Sequence, residues 1–324
     1  MIRASLTAVV ALCAATAYVG AQELVLSSPI DCSLGDDCYI QQYVDHTDGE
    51  GVSDFRCSSL SYDGHKGTDF ALRTLEQMRA GVDVIASAKG TVMGTRNSVD
   101  DVLYTAANAA NVKGKECGNG LVLRHGDGWE TQYCHMKKGS VQVKTGEVVE
   151  AGTVLGQIGL SGRTQFPHVH LSVRKDGKVV DPFDPDGSVT CGEPDEDTLW
   201  SEPLPYRAGA VLYAAFADHV PAFEDVKSGR AAAQSLPVDA PAIVVFDFGF
   251  GAKKGDQMRL ILEGPTGILL DKTVLIKKNK AQLFRAIGRK LPKDGWPVGT
   301  YFGSVSLLRD GKAISTEKTK ISVE

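Results

Sequence analysis

Along the first part of the chain, short apolar runs are cut by glycine-rich turns: Asp83-Val84-Ile85-Ala86, Gly90-Thr91-Val92-Met93, Gly120 to Arg124, Val141-Gln142-Val143 and Val154 to Ile158. Runs this short, rich in β-branched residues and bounded by turn formers, predict β-strands. One helix is predicted over Leu72 to Ala80. The chain turns polar and acidic from Asp184 to Pro205, which reads as a linker or covering strap. Further runs follow at Ala210 to Phe216, Ala242 to Phe248, Met258 to Leu262, Thr273 to Ile276 and Gly299 to Leu308, the spacing of a small β-sandwich. The pattern predicts a mainly β protein, one strand-rich domain followed by a C-terminal sandwich.

The N-terminus departs from this pattern. Met1-Ile2-Arg3 precedes an apolar stretch from Leu6 to about Tyr18, which ends in Val19-Gly20-Ala21 with the small residues of a signal-peptidase site. A signal peptide over 1–21 is expected. No later segment approaches the roughly 20 apolar residues that span a bilayer. Removing the signal leaves Cys32, Cys38, Cys57, Cys117, Cys134 and Cys191, an even set suited to disulfides in an oxidising compartment. Cys32 and Cys38 close a short loop and Cys117 and Cys134 flank a hairpin, so Cys57 with Cys191 remains by elimination. The chain is expected to be exported, to a bacterial periplasm or the cell exterior, as a disulfide-containing segment (22–60), a strand-rich domain (61–185), an acidic linker (186–207) and a sandwich domain (208–324). Residues 208–324 carry 17 Lys and Arg against 12 Asp and Glu in a chain of net charge −5. That basic region could face an anionic envelope component. The overall charge excludes a nucleic-acid reading, which Lys277-Lys278-Asn279-Lys280 is too short to restore.

Two motifs carry candidate chemistry. In Pro167-His168-Val169-His170, a strand places His168 and His170 on one face, because side chains two apart point the same way. In Gly64-His65-Lys66-Gly67-Thr68-Asp69, the glycines put His65 in a turn and Asp69 at the start of an apolar strand. Imidazole nitrogens with a carboxylate oxygen suit zinc, and a catalytic zinc normally has three protein ligands. One of the four is then free for catalysis, and His135, near the end of another strand, is a fifth candidate.

From Ser61 to Pro185 these pieces occur in the order of a known family. The chain resembles the lysostaphin-like (LytM-type) zinc metalloendopeptidases, peptidoglycan hydrolases, through His65-x-Gly67-x-Asp69, Asn119 to Gly126, Tyr133-Cys134-His135, His168-x-His170 and Asp181-Pro182. The resemblance implies a LytM-type antiparallel catalytic sheet with one Zn2+ per chain on His65, Asp69 and His170, and His135 and His168 as unligated catalytic histidines. It implies a secreted endopeptidase that cuts peptide cross-links of peptidoglycan through a zinc-activated water. Three alternatives remain: a zinc-containing wall-binding protein or activator that cuts nothing, a peptidase of exported proteins, and a purely structural envelope protein. The chain departs from the family in Arg163-Thr164-Gln165-Phe166 before the second motif and in Leu171 and Ser172 after it. Lys293 to Tyr301 resembles the approach to a late strand in immunoglobulin-like domains of exported bacterial proteins, so the sandwich is expected to be immunoglobulin-like.

Overall fold

The computed structural model describes residues 24–188, 191 and 197–324, and the expected signal peptide lies outside them. Among the described residues, the part of the chain before the sandwich contains ten strands, all paired antiparallel. They are β1 (Cys38–Gln42), β2 (Thr68–Leu72), β3 (Asp83–Ile85), β4 (Gly90–Arg96), β5 (Asn119–Gly126), β6 (Trp129–Met136), β7 (Val148–Val149), β8 (Val154–Gln157), β9 (His168–Lys175) and β10 (Lys178–Val180). One sheet runs in the order β1-β2-β9-β6-β5-β4-β7, with β10 also on β9, while β3 and β8 form a separate pair. β2 and β9 are neighbouring interior strands of the large sheet, and all five residues of β2 are buried.

The segment ahead of the expected catalytic domain belongs to this sheet, since β1 pairs with β2. The helix α1 (Leu75–Ala80) starts later than its apolar pattern does, because Leu72 is spent in β2. Thr74 caps it by accepting from the Gln77 N–H, and Gly81, at φ 93°, ends it. No strand forms at Val141–Val143. There Asn97 hydrogen-bonds to both the N–H and the carbonyl of Val141, replacing the ladder a strand would need. The three disulfides pair as the spacing predicts: Cys32–Cys38, Cys57–Cys191 and Cys117–Cys134.

The C-terminal part adds β11 (Ala210–Ala217), β12 (Ser235–Leu236), β13 (Ala242–Ala252), β14 (Gln257–Gly264), β15 (Gly267–Leu275), β16 (Lys280–Lys290), β17 (Gly299–Arg309) and β18 (Lys312–Val323). Sheet β11-β13-β16 packs against sheet β12-β18-β17-β14-β15 around Val211, Ile243, Val245, Leu260, Val305 and Ile321. This is a two-sheet sandwich; the finer immunoglobulin-like label rests on the sequence resemblance alone. β13 is buried along nearly its whole length because both of its faces are covered. Ile243 and Val245 point into the sandwich, and Phe246, Phe248 and Phe250 join the core of the catalytic part, where Tyr39 meets Phe250 at 4.6 Å between ring centroids.

Asp247 lies on β13 within this buried region. One carboxylate oxygen accepts the Arg285 N–H at 3.0 Å, and the other has no partner among the described residues. Burial pushes its pKa up to about 8. The folded state therefore holds a proton that the unfolded chain releases near pH 4. The stability this lends is complete below pH 4 and is lost as pH rises toward 8. Asp247→Asn should be more stable than the natural chain at pH 8 by roughly 5 kcal/mol, about 1.4 kcal/mol for each pH unit between 4 and 8, with little difference at pH 4. Urea denaturation at the two pH values checks this, and parallel pH dependence of the two proteins would show that Asp247 is not the titrating group.

Candidate active site

The register of β2 against β9 sets Asp69 directly opposite His170, and Ala71 opposite His168. Residues facing each other across neighbouring strands share a face at close range, so a sequence separation of 101 residues becomes an approach of 2.8 Å between Asp69 Oδ1 and His170 Nδ1. His65 arrives from the turn before β2. Its Nε2 lies 3.2 Å from Asp69 Oδ1 and 3.1 Å from His170 Nδ1.

The other ring nitrogens decide what these atoms can do. His65 Nδ1 donates to the Tyr43 carbonyl at 2.7 Å, which leaves a lone pair on Nε2. His170 Nε2 donates to Ser172 Oγ at 3.1 Å, and that hydroxyl donates in turn to the Lys66 carbonyl at 2.5 Å. The lone pair of His170 is then on Nδ1. Two imidazole lone pairs and a carboxylate oxygen converge in a buried place, a donor set that suits a cation. Ligands bound tetrahedrally at about 2.0–2.1 Å stand about 3.3 Å apart, and the three separations of 2.8, 3.1 and 3.2 Å are near that value. Burial alone would raise the Asp69 pKa, but His65 and His168, with hydrogen bonds from His168 and His170, hold it well below the usual carboxylate range.

His168 and His135 border the same cleft. His168 Nδ1 lies 2.9 Å from the Phe166 carbonyl and 3.0 Å from Thr164 Oγ1, and its Nε2 is 3.5 Å from Asp69 Oδ1. The Phe166 ring stacks on it at 4.2 Å. His135 follows Cys134 at the end of β6, and it adopts a left-handed backbone with φ of 64°. That conformation is costly for a residue with a side chain. It is held by the His135 N–H bond to the Cys117 carbonyl, by the Cys117–Cys134 disulfide and by the bond from Gly159 N–H to the His135 carbonyl. The ring is thereby placed 4.7 Å from His168, with Nδ1 donating to the Ser161 carbonyl at 2.9 Å. Burial, reinforced by His168 and His170, pushes the His135 pKa well below its ordinary value.

The remaining histidines lie elsewhere. His125 bridges the Lys89 carbonyl and Thr131, His46 bonds Asp181 at 2.8 Å, and His219 is exposed. The orienting partners Tyr43, Thr164 and Ser172 are what the sequence motifs do not name. Of these, only Ser172 leaves a sequence signal, two residues beyond His170 on the same strand face. Removing its hydroxyl should weaken zinc binding by about 10- to 100-fold without unfolding the protein. Competition of Ser172→Ala with a chromogenic chelator measures this, and wild-type affinity would show that the hydroxyl does not support the site.

Residues 63–182 match the family model described as peptidase family M23. This segment is an M23 peptidase domain. It is 33% identical over 116 residues to the peptidoglycan DD-endopeptidase ShyA of Vibrio cholerae, covering 36% of this chain and 21% of that protein. It is 29% identical over 118 residues to the DD-carboxypeptidase/endopeptidase Mpg of Neisseria meningitidis, covering 36% of this chain and 22% of the relative. The chain thus spans about a fifth of the length of the curated relatives it matches. Among solved structures, the catalytic domain of the prophage-encoded M23 protein EnpA from Enterococcus faecalis is 24% identical, with a TM-score of 0.31, over 48% of this chain and 92% of that one. Beyond the M23 domain, no helix among the described residues is long and apolar enough to cross a membrane.

Proposed function

We propose that the chain is an exported zinc endopeptidase that hydrolyses peptide cross-links of bacterial peptidoglycan. The observation that carries this reading is the convergence of His65 Nε2, His170 Nδ1 and Asp69 Oδ1 in the cleft of an M23 domain, with two further histidines beside them. The names of the relatives ShyA and Mpg support the substrate class, and three disulfides support an oxidising compartment.

His65, Asp69 and His170 would hold one zinc ion. Bound there, zinc supplies Lewis acidity and makes water acidic enough to attack near neutral pH. The protein supplies proton handling. His135 and His168 each direct Nδ1 at a backbone carbonyl, so Nε2 is the atom on each ring that takes or gives a proton. One takes the proton of the attacking water, and the other donates to the developing oxyanion or the leaving amine. Asp69 stays ionised and adds a negative charge to the two imidazole lone pairs of the site.

Mass spectrometry of products released from purified peptidoglycan, with and without a zinc chelator, tests the proposal. Newly exposed peptide termini that vanish on chelation and return with added zinc are expected. A protein that carries one zinc per chain and releases no products would overturn the reading.

A further inference from the structure

The cleft lined by Asp69 and His170 of the metal cluster has a volume of about 520 Å³, and the M23 domain does not enclose it alone. Ala281 and Gln282, at the start of β16 in the sandwich, form part of its wall. They are held there because the side chain of Gln41, itself buried, donates to the Ala281 carbonyl at 2.9 Å and accepts from the Tyr39 hydroxyl at 2.8 Å. A second cavity of about 200 Å³ shares Gln41, Gln42 and Ala281 with the first and extends along the seam between the two parts, to Asn279 and Lys280. The two cavities lie on either side of one interdomain contact.

Their charge is one-sided. Outside the metal cluster, the charged side chains lining the two cavities are Arg163 in the first and Lys280 in the second; no further carboxylate lines either among the described residues. Arg163 stands over the Tyr104 ring at 5.6 Å, beside the Thr164 that touches His168. Neither cation is within ion-pair distance of a carboxylate among the described residues. Lys277 and Lys278, both exposed, continue the positive charge beyond Lys280. Arg163 belongs to the part of the chain that carries its excess of acid, while Lys280 belongs to the basic sandwich.

We propose that this groove is the substrate path, that the sandwich is one of its walls, and that Arg163 and Lys280 receive free carboxylates of an acidic cross-linked peptide. The inference rests on the endopeptidase reading and names the kind of substrate: a peptide whose carboxylates are free rather than amidated. Arg163 offers a planar fork beside the metal cluster, suited to bidentate binding, and Lys280 offers a point charge at the far end.

The test compares two chemically matched cross-linked peptides, one with free carboxylates and one amidated, as substrates for the zinc-loaded full chain and for Lys280→Gln and Arg163→Gln. Neither residue is buried, so both variants should fold and keep one zinc per chain. The natural protein should prefer the free-carboxylate peptide. Each variant should raise KM for that peptide by about five- to tenfold with kcat nearly unchanged, and should match the natural protein on the amidated peptide. Equal kcat/KM on both peptides, or variants indistinguishable from the natural protein, would overturn this inference and leave the enzyme standing. No cleavage of either peptide by the zinc-loaded protein would overturn the endopeptidase reading and this inference with it.

Discussion

Replacing His170 with alanine should abolish both zinc binding and hydrolysis, whereas His168→Ala should keep one zinc per chain and lose about 10²- to 10⁴-fold in turnover. The two residues are two apart on β9, so sequence alone makes them equivalent. Their surroundings separate them. His170 presents Nδ1 to both Asp69 and His65, with its other nitrogen held by Ser172. His168 spends Nδ1 on the Phe166 carbonyl and reaches Asp69 only at 3.5 Å. Removing His170 leaves a two-donor site, while removing His168 leaves all three converging donors in place. Elemental analysis of the purified variants together with turnover on peptidoglycan checks both halves, and equal zinc loss in the two variants would refute the division of roles.

A single methyl group at Gly67 should damage the same centre from behind. A Cβ built there would stand 2.6 Å from His170 Nε2 and 2.6 Å from the Leu171 carbonyl oxygen. The carbonyl cannot retreat easily, because Leu171 sits opposite Thr68 in the β2–β9 ladder. The imidazole would have to swing off Ser172, taking Nδ1 away from Asp69. Gly67→Ala is expected to lower zinc affinity by about 100-fold and to destabilise the fold by about 1–3 kcal/mol. Gly64 is the control: it has φ of 71° but open space around it, so alanine there costs about 1 kcal/mol of backbone strain and leaves zinc affinity unchanged. Zinc competition and denaturation of both variants distinguish the cases. Wild-type affinity in Gly67→Ala would mean that the ring has room the structure does not show.

Which of these features the sequence displays follows from the range over which each is determined. The turn holding His65 and the shared face of His168 and His170 are local, and alternation with glycine placement reveals them. The pairing of Asp69 with His170 depends on strand register across 101 residues, which no local pattern encodes. His135 is harder still. Its ring reaches the cleft through an unusual φ fixed by a disulfide and two distant backbone bonds. In the sandwich, β16 and β18 lack compact apolar runs because each presents largely exposed or half-exposed side chains, and backbone pairing with β13 and β17 defines them. Val141–Val143 shows the reverse, an apolar run whose backbone is captured by the side chain of one asparagine.

The phenylalanines of β13 have a practical bearing on how the protein can be taken apart. Phe246, Phe248 and Phe250 lie in one continuous core with Tyr39, Phe70 and Leu72, so a cut at the acidic strap would not release two self-sufficient modules. A fragment ending near residue 207 would bare aromatic and aliphatic side chains to water and invite self-association. Neither the reactivity of the M23 segment nor its choice of substrate can be studied by trimming the chain to the boundaries of the family match. Grafting that segment onto another carrier would require a replacement surface for the one that β13 now covers.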